Sequence, residues 1–263
     1  MEISVYIIAY NEAEKIRDCI YSVLWADEII VIDSNSTDGT SEIAESLGAK
    51  VIHIPFNGFG ELRNKALSNC TKDWILSIDS DERCTEKVRD EILSLIENTS
   101  LDIFKIPRKN YFMGKWIKYS GWYPNFRQPQ LFRNGKMSYD LKPVHEGYIN
   151  LSNKEIGSIK NAIWQFPFKD TSELIHKANR YSSLGAKKLN DQGKKGGVIK
   201  AFLHGFWSFI KHYFFKLGFL DGGAGLVIAF GNFEGTFYRY IKLSEDQSNW
   251  TTPKVKPIKK LGQ

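Results

Sequence analysis

The sequence has little that would place it in a redox, metalloprotein or membrane-spanning class. Its three cysteines, Cys19, Cys70 and Cys84, fall in none of the spacings that hold a metal. They read as reduced thiols of a cytosolic protein. No apolar run reaches the roughly 18–20 residues that span a bilayer. The segment from Ala201 to Phe219 comes nearest, and Lys211, Lys216 and two histidines interrupt it. The opening "MEISVYIIAY" is too short, and too acidic at its start, to read as a signal peptide. No Gly-x-Gly-x-x-Gly turn follows the first strand-like run, and no loop ends in Gly-Lys-Ser/Thr. Those absences count against a dinucleotide oxidoreductase and against the phosphate-hydrolysing enzymes built on that loop. No internal repeat stands out.

What remains is a chain of 263 residues, 42% hydrophobic and 25% charged. That is enough for one large α/β domain, or one domain with a substantial appendage, around a packed core. The net charge of +6 points to anionic partners without identifying them.

The N-terminal third alternates strand and helix signals. "ISVYIIAY", "DEIIVIDS", "AKVIHIPF" and "DWILSID" read as strands. Between them, "NEAEKIRDCIYSVL" has helical spacing, with Ile16, Ile20 and Val23 or Leu24 on one face. "NSTDGTSEIAESLG" reads as a turn and a helix stopping at Gly48, and "TEKVRDEILSLIEN" as a clean amphipathic helix. Repeated β-α units imply a mostly parallel sheet covered by helices, with ligands at the carboxyl ends of the strands. Tyr10, Asn11, Asp33 and the acids from Asp79 to Glu82 fall at such ends. The middle third is rich in aromatic and basic residues and is expected to finish the sheet under long loops. From about Lys169 the chain turns helical, and the last dozen residues read as a basic, poorly ordered tail.

"WILSIDSDERC" places Asp79, Asp81 and Glu82 straight after a hydrophobic run. Their mutual repulsion must be offset by positive charge or by water. Asp79 and Asp81 stand at i and i+2, so an extended chain would send them to opposite faces; a turn would let both reach one ligand. Paired carboxylates at a strand rim suit Mg²⁺ or Mn²⁺ held together with phosphate oxygens. A solvated loop is the plainer alternative. Asp33 closes another core strand, where a carboxylate is costly unless wet or partnered; the N–H of a base ring is one possible partner. Ser36 to Gly39 behind it fit an ordinary helix start.

Taken in order, "YIIAYNEAEKIRDCIYSV", "IIVIDSNSTDGTSEIAE", "LRNKAL" and "WILSIDSDE" resemble the successive motifs of the family 2 inverting glycosyltransferases. Further on, "RKNYFMGKWIKYSGWYP", "QLFRNGK", "VHEGY", "NRYSSLGAKKL" and "GFLDGGAGLVIAF" resemble the bacterial lipopolysaccharide core β-1,4-glucosyltransferase subgroup. The resemblance implies an α/β, GT-A type nucleotide-sugar-binding fold with a mostly parallel central sheet and a C-terminal helical extension. It divides the chain into a catalytic domain over residues 1–168, a helical extension over 169–250 and a tail over 251–263. Within the catalytic domain, residues 1–100 would bind the nucleotide-sugar and 101–168 would form the acceptor side.

The resemblance also implies roles. Tyr10, Glu12, Asp33, Arg63 and Asp79 would bind a UDP-sugar. Asp33 would read the uracil ring, and Arg63 would stand on the base or phosphate side. Asp81, with Asp79, would hold Mg²⁺ or Mn²⁺. Glu146 would be the general base, with Asp140 its rival. Trp116, Trp122, Tyr123, Arg127, Arg133 and His145 would meet the acceptor, a lipid-borne glycan. The subgroup often carries histidine near "IWQFPF", where this chain has Gln165. A single base with direct attack opposite the leaving UDP predicts inversion. Transfer of an N-acetylhexosamine to another glycan, or nucleotide-sugar binding without catalysis, would use the same motifs.

"VIKAFLHGFWSFIKHYFFK" reads as an imperfect amphipathic segment, with Lys200, His204, Lys211 and His212 on a polar side and aromatic residues crowding the rest. It is expected to contact an anionic membrane surface peripherally, with packing on the main domain or a homo-oligomer contact as alternatives. Nucleic acid is not expected, because it would be repelled by the strand-end acids. The expected location is the cytoplasm, at the inner face of the inner membrane.

Overall fold

The computed structural model describes residues 1–126, 128–141 and 147–248. In chain order, β1 (Ile3–Ala9), α1 (Ala13–Tyr21), β2 (Glu28–Asp33), α2 (Thr40–Ser46), β3 (Lys50–His53), α3 (Phe59–Asn69) and β4 (Trp74–Asp79) alternate strictly. The short β5 (Glu82–Arg83) and α4 (Glu86–Asn98) follow. Eight further strands come next: β6 (Ile103–Lys105), β7 (Arg108–Phe112), β8 (Lys115–Trp116), β9 (Pro129–Arg133), β10 (Met137–Tyr139), β11 (Tyr148–Asn150), β12 (Gly157–Ser158) and β13 (Ile163–Gln165). The chain then runs through α5 (Thr171–Asp191), α6 (Val198–Ile210), a π-turn at Lys211–Phe215, a 3₁₀ turn at Gly218–Asp221 and α7 (Gly223–Gln247).

The described residues divide into two compact units, one of residues 1–118 and 122–169, the other of residues 119–121 and 170 onward. In the first, seven strands form a sheet in the order β12-β6-β9-β4-β1-β2-β3. All are parallel except β9, which runs against both β4 and β6. This is the mostly parallel α/β architecture with a helical extension that the sequence predicts. A smaller sheet, β5-β13-β7-β8, and the hairpin β10-β11 complete the unit.

Alternation along each strand sorts the core onto two faces. Ile3, Val5, Ile7, Val31, Leu76 and Ile78 pack with Ile16 and Ile20 of α1 and with Val88, Ile92 and Ile96 of α4. The spacing of Val88, Ile92 and Ile96 puts them on one stripe, and the Thr85 hydroxyl caps the helix by accepting from the Val88 N–H at 3.3 Å. Tyr6, Ile30, Ile32 and Ile75 pack on the other face with Leu62 and Ala66 of α3. Of the two alternatives at the end of α1, Val23 is buried and Leu24 is exposed. Gly48, at φ +82°, ends α2 in the left-handed conformation that favours glycine.

In the second unit, α5 and α6 both pack on α7. Close approach there depends on glycine. A Cβ on Gly225 would lie 1.8 Å from the Gly218 carbonyl oxygen. Residues 119–121 join this unit because the buried Asp221 carboxylate accepts from the Tyr119 N–H and from the Ser120 hydroxyl at 2.7 Å. The Ser120 N–H donates to the Lys216 carbonyl at 2.8 Å.

All three cysteines are free and buried. Burial raises the Cys19 thiol well above its ordinary range and pushes Cys70 and Cys84 to about 12. The native protein at pH 8 is therefore expected to release no thionitrobenzoate from Ellman's reagent, and the guanidinium-unfolded chain to titrate all three thiols. Rapid labelling of the native chain would contradict the burial.

Candidate active site

The register of the large sheet brings the predicted strand-end residues to one rim. Ala9 pairs with Asp33, Asp33 with His53, and Ile8 with Asp79. Alternation places Asp33 on the face covered by α1 and α2, and Asp79 on the face covered by α3. The loops after β1 and β2 are laced together. The Asn11 N–H donates to the Ser36 hydroxyl at 2.8 Å, and the Thr37 N–H to the Asn11 side-chain oxygen at 2.9 Å. Likewise the Glu12 N–H donates to the Thr40 hydroxyl at 2.9 Å, and the Ala13 N–H to the Asp38 carboxylate at 3.0 Å. Asn11 takes φ +54° to make this turn. Tyr10 is exposed on the rim, and Glu12 opens α1 beside Lys15 at 3.5 Å.

Asp33 has no exposed surface. It accepts from the Ser36 N–H at 2.9 Å and from the Ser36 hydroxyl, and it meets His53 Nδ1 at 3.2 Å. The His53 side chain is 57% exposed. What the rim offers to a ligand beside Asp33 is therefore the imidazole that Asp33 orients. His53 was not singled out from the sequence; its one signal is its place at the end of "KVIH".

The motif "LRN" on α3 is accounted for residue by residue. Leu62 enters the core. Arg63 reaches across to β4, donating to the Ser77 hydroxyl at 3.1 Å and to Asp79 Oδ1 at 2.8 Å. Asn64 grips the backbone of Tyr139 twice, donating to its carbonyl and accepting from its N–H, both at 2.8 Å. Burial works against the charge on Arg63, but Asp79, Tyr6 and Tyr139 together outweigh it and hold the guanidinium pKa well above its ordinary value. Asp79 is thus a fixed, partly exposed carboxylate rather than a loose one.

The third acid of the cluster goes inward. Glu82 is completely buried and forms an ion pair with Arg108 Nε. It also accepts from the Asp79 N–H at 3.0 Å and from the Gln130 amide at 2.9 Å. Burial pushes the Glu82 carboxyl upward, against the pull of Arg108. Burial likewise opposes the charge on Arg108, and Glu82 with Asp79 outweighs it. Ser80 and Asp81 form the turn between β4 and β5, so the chain does not continue extended past Asp79. β5 pairs with β13 so that Glu82 faces Gln165 in register. Gln165 Nε2 stands 3.3 Å from each oxygen of Asp81. The residue that departs from the subgroup's histidine therefore lies directly against the predicted metal acid.

Asp140 lies at the end of the β10 strand. Its carboxylate accepts from the Gly147 N–H at 2.8 Å, and its own N–H donates to the Gly147 carbonyl at 3.1 Å. A Cβ on Gly60 would lie 2.0 Å from the Asp140 carbonyl oxygen, so α3 abuts this point. Asp140 thus ties the end of β10 to Gly147 and to α3. Glu146 and His145 belong to the part of the sequence between Asp140 and Gly147. Those two residues and Arg127 lie outside the described residues.

The remaining residues predicted to meet the acceptor divide. Trp116 stacks edge-on with Tyr123 at 5.2 Å and carries Lys109 over its ring at 4.5 Å. Trp122 packs against Phe112 and Phe168. Each of the three rings is engaged with other side chains of its own unit. Arg133 is not at this site. It pairs with Trp74 at the amino end of β4 and is bound to Asp102 at 3.1 Å. Asp79 lies five residues further along β4, roughly 17 Å away at strand rise. The reversal of β9 sends its last residue to the far edge of the sheet.

Removing Arg108 would strand a buried carboxylate. Arg108→Ala is expected to cost about 3–5 kcal/mol in urea unfolding. The pairwise replacement Glu82→Gln with Arg108→Met should cost clearly less than the single change. Equal losses for both would mean that the ion pair is not what holds this turn.

The glycosyl transferase family 2 model matches residues 4–147. An uncharacterized glycosyltransferase from Rickettsia felis is 34% identical, over 93% of this chain and 90% of that protein. The lipopolysaccharide core biosynthesis glycosyltransferase LpsC from Rhizobium meliloti is 30% identical, over 88% of this chain and 90% of that protein. Among solved structures, glucosyl-3-phosphoglycerate synthase from Mycobacterium tuberculosis with Mn²⁺, UDP-glucose and phosphoglyceric acid aligns at 29% identity. That alignment has a TM-score of 0.37 and spans 41% of this chain and 44% of that one. The family match spans more than half of the sequence and ends at Gly147, past the whole acidic rim, and the relatives are matched along nearly their full lengths; the chain, with its mostly parallel α/β sheet and helical extension, is a glycosyltransferase and belongs to glycosyl transferase family 2.

Proposed function

We propose that this enzyme transfers a hexose, glucose in the first instance, from a UDP-sugar to an inner-core sugar of lipopolysaccharide or lipooligosaccharide, with inversion. The observation that carries the reading is the fixed Asp79 carboxylate, set by Arg63 at the carboxyl end of β4, with Asp81 in the turn beside it. The acceptor class is supported by the relative named for lipopolysaccharide core biosynthesis. A cytoplasmic site of action fits a UDP-sugar donor and three free thiols.

The donor set suits a hard divalent cation. Asp81 and Asp79 offer carboxylate oxygens and no soft ligand. Among the described residues, no group of three or more histidines, cysteines or acids gathers to hold an ion. An ion of the Mg²⁺ type is held by one or two carboxylates together with substrate phosphates, so Asp81, with Asp79, would hold it once the diphosphate is present. When bound, such an ion offsets negative charge on the departing diphosphate. Arg63 anchors Asp79 throughout. Tyr10, Glu12 and the Asp33–His53 pair line the nucleoside side of the same rim.

Glu146 is assigned as the base. Its carboxylate takes the proton of the acceptor hydroxyl as that oxygen bonds to the anomeric carbon. The bond from that carbon to the diphosphate oxygen breaks, and UDP leaves with the electron pair. Attack and departure are on opposite faces, so an α-linked donor gives a β-linked product. Asp140, clamped to Gly147, is assigned to positioning rather than to proton transfer. His145, Trp116, Trp122, Tyr123 and Arg127 are assigned to the acceptor side.

Glu146→Gln is expected to keep UDP affinity within about twofold and to lose at least about 100-fold in transfer. Proton NMR of the wild-type product from UDP-glucose and a truncated core should show the β anomer. An α product, or wild-type transfer by the variant, would overturn the assignment.

A further inference from the structure

α6 is packed inside out. Its buried residues are Ala201 and Gly205, and a Cβ on Gly205 would sit 3.2 Å from the ring of Phe233 on α7. Phe209 packs on Phe230 of α7, but other large apolar side chains of the helix are exposed. Ile199 is 77% exposed, Leu203 60%, Trp207 58%, and Phe202 and Phe206 at least half. At 100° per residue these five lie on one stripe, opposite Ala201 and Gly205. The stripe continues past the π-turn to Phe215, 69% exposed. A helix of a water-facing domain buries its large apolar residues and exposes its small or polar ones. Here the order is reversed, and a patch of this kind marks an interaction surface.

The charge around the patch says what covers it. Residues 192–220 contain five lysines, Lys194, Lys195, Lys200, Lys211 and Lys216, and no aspartate or glutamate. Lys200, Lys211 and Lys216 are exposed. A second copy docked by two-fold symmetry would set this acid-free surface against itself, lysine facing lysine. An anionic lipid surface meets both halves of the chemistry, the apolar stripe and the basic flank. The exposed indole of Trp207 suits the headgroup level. Spanning is excluded on length, since α6 has 13 residues, about 20 Å of helix against a hydrocarbon core of about 30 Å. Among the described residues, no helix is long and apolar enough to cross a membrane.

We propose that the α6 stripe, continued through Phe215, inserts shallowly into the headgroup region of an anionic bilayer, with Lys200, Lys211 and Lys216 contacting lipid phosphates. The inference stands on the second unit alone and does not depend on the sugar donor or the base.

The test is co-sedimentation of the full chain with vesicles of phosphatidylcholine alone and of phosphatidylcholine mixed with phosphatidylglycerol. Partitioning is expected to be at least about tenfold stronger on the mixed vesicles and to weaken with added salt. Phe202→Ser with Phe206→Ser should lose about tenfold or more on mixed vesicles. Lys200→Gln with Lys211→Gln, which leaves the apolar packing intact, should remove the preference for anionic lipid. Unchanged circular dichroism melting would show that the variants fold, and the lysine pair carries the test should the phenylalanine pair unfold. Equal binding to both vesicles, or no binding, overturns the proposal. So does a wild-type dimer in light scattering that the phenylalanine variant dissolves, which would assign the stripe to a second copy.

Discussion

The acidic rim proposed as the donor site of this glycosyltransferase depends on a carboxylate that never reaches it. Glu82 is buried beneath the turn after β4, paired with Arg108 and accepting from Gln130 and from the backbone of Asp79. An isolated carboxylate at that depth would cost many kcal/mol. The pairing therefore requires β5, β7 and β9 to be in place together, since Glu82, Arg108 and Gln130 come from those three strands. Once they are, the turn at Ser80 and Asp81 is determined, and Asp79 has its backbone fixed from below and its side chain fixed by Arg63. Three acids crowded after one hydrophobic strand are tolerable because two of them are matched to arginines and the third is set against an amide.

α3 carries the same logic outward. Three consecutive residues serve the core, the acid on β4 and the backbone of β10. Because Arg63 and Asn64 are neighbours on one rigid helix, the spacing between Asp79 and the β10 strand end is set by helix geometry and not by loop conformation. Asp140, at that strand end, accepts from the Gly147 N–H. The ends of β4 and β10 are thereby tied to one another through α3. Such rigidity suits the proposed displacement, which has to hold a nucleophile and a leaving group in line.

Much of this was legible in the sequence. The β-α alternation and the strand-end positions of Asp33 and Asp79 follow from periodicity, which survives without tertiary information. The partners of the acids were not legible, because Arg63–Asp79 and Arg108–Glu82 are separated by 16 and 26 residues and join only when helices and strands pack. Glu82 looked equivalent to its neighbours, and only the pairing of β5 with β13 turns it inward. Arg133 shows a different limit. At the end of a parallel strand it would have stood at the same rim as Asp33 and Asp79. β9 is the one reversed strand of its sheet, and local sequence does not encode that reversal. The inversion of α6 was half visible, as aromatics crowding a basic segment. Which face is buried became clear only from the small residues that meet α7.

In the proposed donor site, Asp81 and its neighbours are completed by a divalent cation. Isothermal titration of UDP into the wild-type chain and into Asp81→Ala, each with Mn²⁺ and then with EDTA, tests this most directly. The account predicts that chelation weakens UDP binding to wild type by about tenfold or more, a difference of about 1.4 kcal/mol or more, and that the variant shows no such difference. Equal affinity with and without metal in the wild type, or a full metal effect in the folded variant, would contradict it.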